Sequence, residues 1–523
     1  MHEESQRSLV VALQNPSVFP HAADNWQLIE THISWVILCG PYAYKIKKAL
    51  NLGFLDFTTL EKRKFYCEEE LRLNSRLAPE LYLSVEPITG TARQPQLGGS
   101  GIAFEYAVKM RRFPPHALLG DMAQHNRLEE AHIDGIIVQV AEFHLAIPSA
   151  AGTTPYGDPE HIHAPAQENF VQLRESIDEP RNIEWLDRIE SWTEHEYRRC
   201  LRHFSQRKQD GFIRECHGDM HLSNIAVIDN VPVIFDGIEF NPDLYWIDVM
   251  SEVAFLIMDL EDHGKRELAF RFLNGYLELT GDYPGLRVLR YYLAYRATVR
   301  AKIAGIRLNQ QPGRDSQSLL LQELERYLQL ALSYTQLQGP VLYLTHGLSG
   351  SGKSTLSAPL AERLGAIRIR SDRERQRIFG KGARDGEAAG VGLGAYSRDA
   401  TLDTYAILED LAKGVLESGY PVIIDATFLT RSQREPFRQL AARLSIPLRI
   451  LCFQAEPAVL RRRIEARQRE GRDISEADLR VLEQQLASYI GLDADEQNHA
   501  ISIDTQSASA REDALALIGL SLK

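Results

Sequence analysis

The chain has 523 residues, of which 44% are hydrophobic and 25% charged, and carries a net charge of −12. That is too long for one hydrophobic core and too ordinary for a disordered or collagen-like chain, so two or three globular domains are expected. The scattered cysteines Cys39, Cys67, Cys200, Cys216 and Cys452 include no Cys-x-x-Cys pair, which argues against a disulfide framework or structural zinc.

The polar start, Met1 to Arg7, lacks the apolar run of a signal peptide, and no stretch reaches the ~18 apolar residues of a membrane span. A cytoplasmic protein without membrane attachment is expected. Residues 33–39 and 42–48 read as two strands about the turn Gly40-Pro41. The spacing of Leu60, Phe65, Leu71, Leu73 and Leu77 predicts a helix over 59–77, stopped by Pro79. Further strands are expected at 85–88 and 102–110. The pattern is helical over 128–210, a β-hairpin follows at 225–235, and 244–335 is helical again. Polar breaks lie at 309–316 and at Gln338-Gly339-Pro340. The second gives the expected boundary, with domains at 1–336 and 337–523. Beyond it, strands at 341–345, 366–369, 422–424 and 448–453 alternate with helices, which argues for a parallel sheet covered by helices. Residues 485–523 read as helical.

Residues 340–523 hold 25 basic and 25 acidic residues, so the whole −12 lies in the first half. An acidic surface repels nucleic acid and attracts cations, although solubility alone explains it equally well. In the second half 21 of the basic residues are Arg, the residue suited to bidentate phosphate contact.

Gly347-Leu348-Ser349-Gly350-Ser351-Gly352-Lys353-Ser354 fits G-x-x-x-x-G-K-[ST], directly after an apolar strand and at the start of a helix. Gly347, Gly350 and Gly352 let backbone N–H groups turn toward phosphates, with Ser349, Ser351 and Thr355 in the same cradle. Lys353 is expected on the β- and γ-phosphates of ATP, and Ser354 on Mg²⁺. Asp425, at the end of an apolar strand, is expected on the Mg²⁺ shell. Asp372 is placed to accept the proton of an acceptor hydroxyl, and Arg375 to orient that acceptor. Arg463 and Arg467 share a helix face and are expected to close over the phosphates. Helix capping by the two aspartates, and a solvated basic face for the arginines, are the structural alternatives.

These residues resemble the P-loop small-molecule and polynucleotide kinase group, including gluconate-kinase-like and zeta-toxin-like proteins, over about 340–485. The resemblance implies that Asp372 acts as base and that acceptors range from sugars to the 5′-hydroxyl of a nucleic acid.

In the first half, His217-Gly218-Asp219-Met220-His221-Leu222-Ser223-Asn224 precedes the hairpin and Asp236 follows it. With its turn near Asp229-Asn230, the hairpin brings Asn224 and Asp236 together at its open end. This arrangement suits Asp219 as base, with Asn224 and Asp236 as Mg²⁺ ligands. A zinc site of His217, His221 and Asp236 ranks well below magnesium. The segment resembles the aminoglycoside phosphotransferase-like branch of the protein-kinase fold, over about 30–305. That implies an α+β domain, a small β-rich lobe plus a helical lobe. It also implies Lys45 on the nucleotide phosphates, with an acidic partner from Glu68-Glu69-Glu70, for which Glu69 is chosen. Lys47 and Glu70 read as surface charges, and His144 as a packing residue. The Gly40-Pro41 turn is not a glycine-rich phosphate loop, and Gly237-Ile238 follows Asp236 where Phe-Gly is usual. The leading expectation is a fusion of two ATP- and Mg²⁺-dependent phosphotransferase domains acting on hydroxyls of small molecules. The alternatives are a first domain that only binds ligand, and a nucleotide-dependent switch.

Overall fold

The computed structural model describes residues 3–519 except 23, 54, 311–313, 337–338, 380–397 and 471–478. Parts of both expected breaks, at 309–316 and at 338, lie outside the described residues. The contacts divide the chain into two compact units, Met1–His263 with Tyr291–Ala331, and Gly264–Arg290 with Leu332–Lys523. The chain thus passes between units three times, where the sequence suggested one boundary at 336.

The first unit opens with six antiparallel strands: β1 Gln27–Glu30, β2 Ser34–Cys39, β3 Tyr42–Lys47, β4 Tyr82–Thr91, β5 Gln94–Leu97 and β6 Glu105–Arg111. Their order is β1-β2-β3-β6-β4-β5. The period of two sorts β3 onto two faces. Tyr44 and Ile46 join Trp35, Ile37, Leu9 of the N-terminal helix Glu3–Ala12 and Leu13 just after it in one cluster, whereas Ala43 packs with Cys67 of helix Leu60–Asn74 in another. Thr59 caps that helix by accepting from the Lys62 N–H. The sequence reading missed β1 and β5. Both are short edge strands without an apolar run: β1 is mostly exposed, and β5 buries only Pro95 and Leu97.

The remainder of the unit is mainly helical, with Glu130–Ala146, Pro159–Arg174, Pro180–Gln209 and Val249–Asp262. Two antiparallel pairs interrupt it: β7 Ile213–Glu215 with β10 Trp246–Asp248, and the hairpin of β8 Ile225–Ile228 with β9 Val231–Ile234. Asp229 and Asn230 turn the hairpin with φ of +52° and +64°, the left-handed pair that matches strand twist.

The second unit is a five-stranded parallel sheet: β11 Leu342–His346, β12 Ile367–Arg370, β13 Val422–Asp425, β14 Leu448–Gln454 and β15 Ala500–Asp504, in the order β12-β13-β11-β14-β15. β15 corrects the helical reading of 485–523. Only Ile503 of that strand is buried, so its backbone ladder to β14 holds it where no apolar run announced it. Helix Arg266–Thr280 also belongs to this unit. Its Asn274 side chain donates to Ala366 O at 3.0 Å and accepts from the Arg368 N–H at 2.7 Å, satisfying the open edge of β12. Among the described residues, no helix is long and apolar enough to cross a membrane.

Beneath β6 lies an ion pair with no exposed surface: Arg63 Nε is 2.8 Å from Glu105 Oε1, and Gln6 donates to Oε2 at 2.7 Å. Removing one partner strands a buried charge. Arg63→Met is expected to cost about 3–5 kcal/mol, read as a lower Tm for the transition of the first unit. A Tm unchanged from wild type would contradict this.

Candidate functional site

In the first unit the site forms on the face of β3 that carries Lys45 and Lys47. An ammonium removed from water costs several kcal/mol unless carboxylates answer it. Glu70, on helix Leu60–Asn74 and 0% exposed, answers both lysines: Oε1 lies 2.8 Å from Lys45 Nζ, and Oε2 lies 2.6 Å from Lys47 Nζ. Glu239 also pairs with Lys47, and Asp236 Oδ1 lies 2.5 Å from Lys45 Nζ. Burial opposes the charge on Lys45, but Asp236, Glu70 and Glu239 outweigh it and hold its pKa well above the usual lysine value. Lys47 is raised in the same way, against burial, by Glu239 and Glu70.

Glu69 does not reach Lys45. One residue along a helix is a rotation of roughly 100°, and Glu69 is spent on Arg72, 2.8 Å away at the surface. Glu70 is the partner, and Lys47 and Glu70 are buried where surface charges were expected. Ser34 pairs with Lys47 across β2 and β3, so the turn nearest Lys47 is the β1–β2 connection Thr31-His32-Ile33, not Gly40-Pro41. It carries no glycine.

The loop before the hairpin is pinned from helix Val249–Asp262. Glu252 accepts from the backbone N–H of His217 at 3.2 Å and of Gly218 at 2.6 Å, and lies 2.9 Å from His144 Nε2; Asp259 accepts from the Leu222 N–H at 2.8 Å. His144 therefore buttresses the loop through Glu252. Asn224 Nδ2 donates to Asp219 Oδ2 at 2.9 Å and to Asp236 O at 3.4 Å, so the open end of the hairpin unites all three residues. Burial pushes the Asp219 carboxyl up, but His221, His217 and Arg300 pull harder and hold it below the usual carboxylate range. Asp236 sits at φ +61°, a conformation costly for a side-chain-bearing residue and often found at functional sites. His217, His221 and Asp236 do not form a three-ligand group among the described residues.

In the second unit the loop after β11 curls at the carboxyl ends of the strands, where parallel sheets bind ligands. Gly350 and Gly352 have φ of +80° and +84°, and a Cβ on Gly350 would meet Leu460 O at 2.9 Å. Lys353 Nζ is buried and donates to two neutral acceptors, Gly347 O and Leu348 O, each at 2.9 Å. Burial strips its water and, against the pull of Asp425 and Asp372, holds its pKa down at about 8. Arg463 ties the loop in place, donating to Gly350 O at 3.3 Å and to Thr505 O at 2.8 Å. Gln485 accepts from the Ser349 N–H at 2.9 Å.

A cavity of about 690 Å³ opens beside this loop. Ser349 to Thr355, Asp372, Arg375, Asp425, Arg463 and Arg467 all line it, so every residue expected in this site except Gly347 faces one space. Gly347 lies beneath it, its carbonyl holding Lys353. Asp425 accepts from Ser357 Oγ at 2.8 Å, while Ser354 is exposed toward the cavity. Burial and the neighbouring Asp425 push the Asp372 carboxyl up, against Arg370 and Arg375. Missed at the sequence level were Glu239, in an irregular segment, and Glu278, Gln485 and Thr505, which carry no motif.

Two outcomes follow. Glu69→Gln is expected to change stability and nucleotide affinity little, within about 0.5 kcal/mol, whereas Glu70→Gln leaves two buried lysines short of charge and costs about 3–5 kcal/mol; thermal and chemical unfolding check the pair. Second, an anion beside Lys353 favours its charged form and raises its pKa. Nucleotide affinity at this site is therefore full below about pH 8 and falls above it, with proton uptake on binding. Calorimetry in buffers of different ionisation enthalpy measures that uptake, and Lys353→Arg is expected to abolish it.

Residues 62–290 match the model of the phosphotransferase enzyme family, and residues 342–492 that of an AAA domain. Uncharacterized proteins of Mycobacterium tuberculosis and Mycobacterium bovis are each 32% identical over 415 residues, covering 79% of this chain and 80% of their own length. Among solved structures, a gluconokinase from Sinorhizobium meliloti 1021 is 22% identical and covers 35% of this chain and 93% of its own, with a TM-score of 0.26. A choline/ethanolamine kinase family protein from Mesorhizobium loti is 10% identical and covers 63% of this chain and 98% of its own, with a TM-score of 0.36. The chain belongs to the family of these mycobacterial proteins, and within it a kinase-like phosphotransferase domain is followed by a P-loop kinase domain.

Proposed function

We propose that the protein is an ATP- and Mg²⁺-dependent kinase with two nucleotide sites, each directed at a hydroxyl of a small molecule. The observation that carries this reading is the single cavity holding both a phosphate cradle and an acid–arginine pair, Asp372 with Arg375. A site for ATP hydrolysis alone has no need of the second group.

The residues present fit the nucleotide. Lys353 is a buried cation whose hydrogen bonds go to neutral carbonyls, and phosphate oxygens are the stronger acceptors for it. Ser354 and Asp425 would hold Mg²⁺ in the second unit, and Asn224 and Asp236 in the first. Bound ATP supplies the phosphoryl group, and Mg²⁺ offsets the charge that spreads over its oxygens. The chain supplies the rest. Asp372 accepts the proton of the acceptor hydroxyl, whose oxygen bonds to the γ-phosphorus as the bond to the leaving diphosphate breaks. Arg375 orients the acceptor, and Arg463 and Arg467 face the transferring charge. In the first unit Asp219 takes the part of base, held ionised by its histidine neighbours, and Lys45 faces the phosphates. A nucleic-acid 5′-hydroxyl is the other acceptor open to the second unit. The five free, buried cysteines suit a reducing compartment, in keeping with a cytoplasmic enzyme.

A second reading concerns the first unit alone. The turn beside Lys47 has no glycine, and Lys45 is already closed on Asp236, features that suit a site binding ligand without turnover.

Transfer from γ-labelled ATP into a metabolite extract tests both. Asp372→Asn is expected to remove one labelled product and Asp219→Asn another, each by about 10²–10⁴-fold, the usual worth of a general base. Full transfer by both variants would refute the kinase assignment, and loss with Asp372→Asn alone would make the first unit a binding module.

A further inference from the structure

Lys47 is a cation sealed from water. Its side chain is 1% exposed, Glu70 and Glu239 hold its ammonium, and the buried Phe57 ring lies 5.1 Å from it. The segment that brings Glu239 here is itself fixed: Asn74, on the same helix as Glu70, accepts from the Gly237 N–H at 2.6 Å. Asp236, Lys45, Glu70, Lys47 and Glu239 thus form one row of charges, with Glu70 shared at its centre. In that row two ammonium groups face three carboxylates. Asp236 is the open one, 44% exposed, whereas Glu70 and Glu239 are buried.

The two lysines are coupled through Glu70. Lys47 takes one of its oxygens and leaves Lys45 the other. Charges this close and away from water act on one another strongly. When Asp236 turns to a metal ion, Lys45, Lys47, Glu70 and Glu239 remain, and their charges cancel. Without Lys47, the same Lys45 faces two buried carboxylates, which hold it back from phosphates. Without the charge of Glu239, Lys45 is freer, because Glu239 acts on it as well. The two carboxylates are not equal. Against burial, Lys45 and Lys47 hold the Glu70 carboxyl down at about 2, whereas burial pushes that of Glu239 up in spite of Lys47. Glu70 is the anchor of the group, and Glu239 is held less firmly.

Resting on the reading of the first unit as a nucleotide site, we propose that Lys47 and Glu239 set its affinity for nucleotide phosphates in opposite directions. Lys47 is a positioning residue: it occupies Glu70 and so leaves the charge of Lys45 available to the phosphates. Glu239 restrains Lys45 and keeps the site weaker than Lys45 and Glu70 alone would make it. Neither residue touches the nucleotide.

The test uses the full chain carrying Lys353→Ala, so that nucleotide binds only at the first unit. The ligand is a non-hydrolysable ATP analogue with Mg²⁺, and Kd and Tm are measured for each variant. Lys47→Met is expected to raise Kd about tenfold or more, the worth of one charged hydrogen bond. Glu239→Gln is expected to lower Kd about threefold or more, the effect of one nearby charge, even as it lowers Tm. Lys47→Met combined with Glu239→Gln is expected to return Kd to within about threefold of the parent, because one charge of each sign leaves. A role confined to folding would weaken binding in both single variants and further in the double. A Kd raised by Glu239→Gln, or moved by neither substitution, would overturn the proposal. If Lys47→Met does not fold, Glu239→Gln decides alone, since Lys47 keeps Glu70 as its partner there: a lower Kd supports the proposal, and an equal or higher one overturns it. No nucleotide bound by the Lys353→Ala chain, or binding that Lys45→Met leaves intact, would overturn the nucleotide site of the first unit itself and this role with it.

Discussion

A lysine ammonium taken out of water must be answered by negative charge, and both units are organised around that requirement. In the first, the answer is built in: Glu70 spans Lys45 and Lys47, Asp236 closes on Lys45, and Glu239 closes on Lys47. In the second, Lys353 is also buried, but its hydrogen bonds go to neutral groups, the carbonyls of Gly347 and Leu348 and the Ser351 hydroxyl, and burial drops its pKa to about 8. The first unit is self-satisfied, and in the proposed two-site reading it would have to open an ion pair to receive phosphates. The second carries an unmet electrostatic demand that an anion relieves. In the proposed two-site reading, this difference would make the P-loop the more avid for phosphate.

The folds place these charges by different means. In the first unit a period of two aims alternate residues of β3 at one helix, and a tight hairpin brings Asn224 and Asp236, on either side of it, to one end. The loop carrying Asp219 has little regular structure of its own, so Glu252 and Asp259 fix its backbone from a neighbouring helix. In the second unit, the parallel strands all deliver their carboxyl ends to one side, so the loops after β11, β12 and β13 meet around a single cavity. Neither arrangement depends on a long-range signal within the motifs themselves.

That is why the sites were largely legible in the sequence and their supports were not. The P-loop and the 217–224 motif with Asp236 are short, and strand, turn and helix chemistry locates them. Glu69 was a phase error: three adjacent glutamates offer no local clue to which one faces the sheet, and only the packing of the helix picks Glu70. Lys47 and Glu70 read as surface charges because the partners that let them be buried, each other together with Glu239 and Lys45, come together only in the fold. The supporting groups Glu239, Glu278 and Asn274 act across 192, 92 and 94 residues, a distance over which composition and periodicity carry no information. The same holds for helix Arg266–Thr280, which lies inside the stretch matching the phosphotransferase family yet packs with the second unit.

In the proposed reading, one chain holds two nucleotide sites with separate charged floors. Equilibrium titration with a non-hydrolysable ATP analogue and Mg²⁺ counts them directly. Two bound nucleotides per chain are expected, the tighter one lost with Lys353→Ala and the weaker one lost with Lys45→Met. A single bound nucleotide, abolished by Lys353→Ala and indifferent to Lys45→Met, would contradict it.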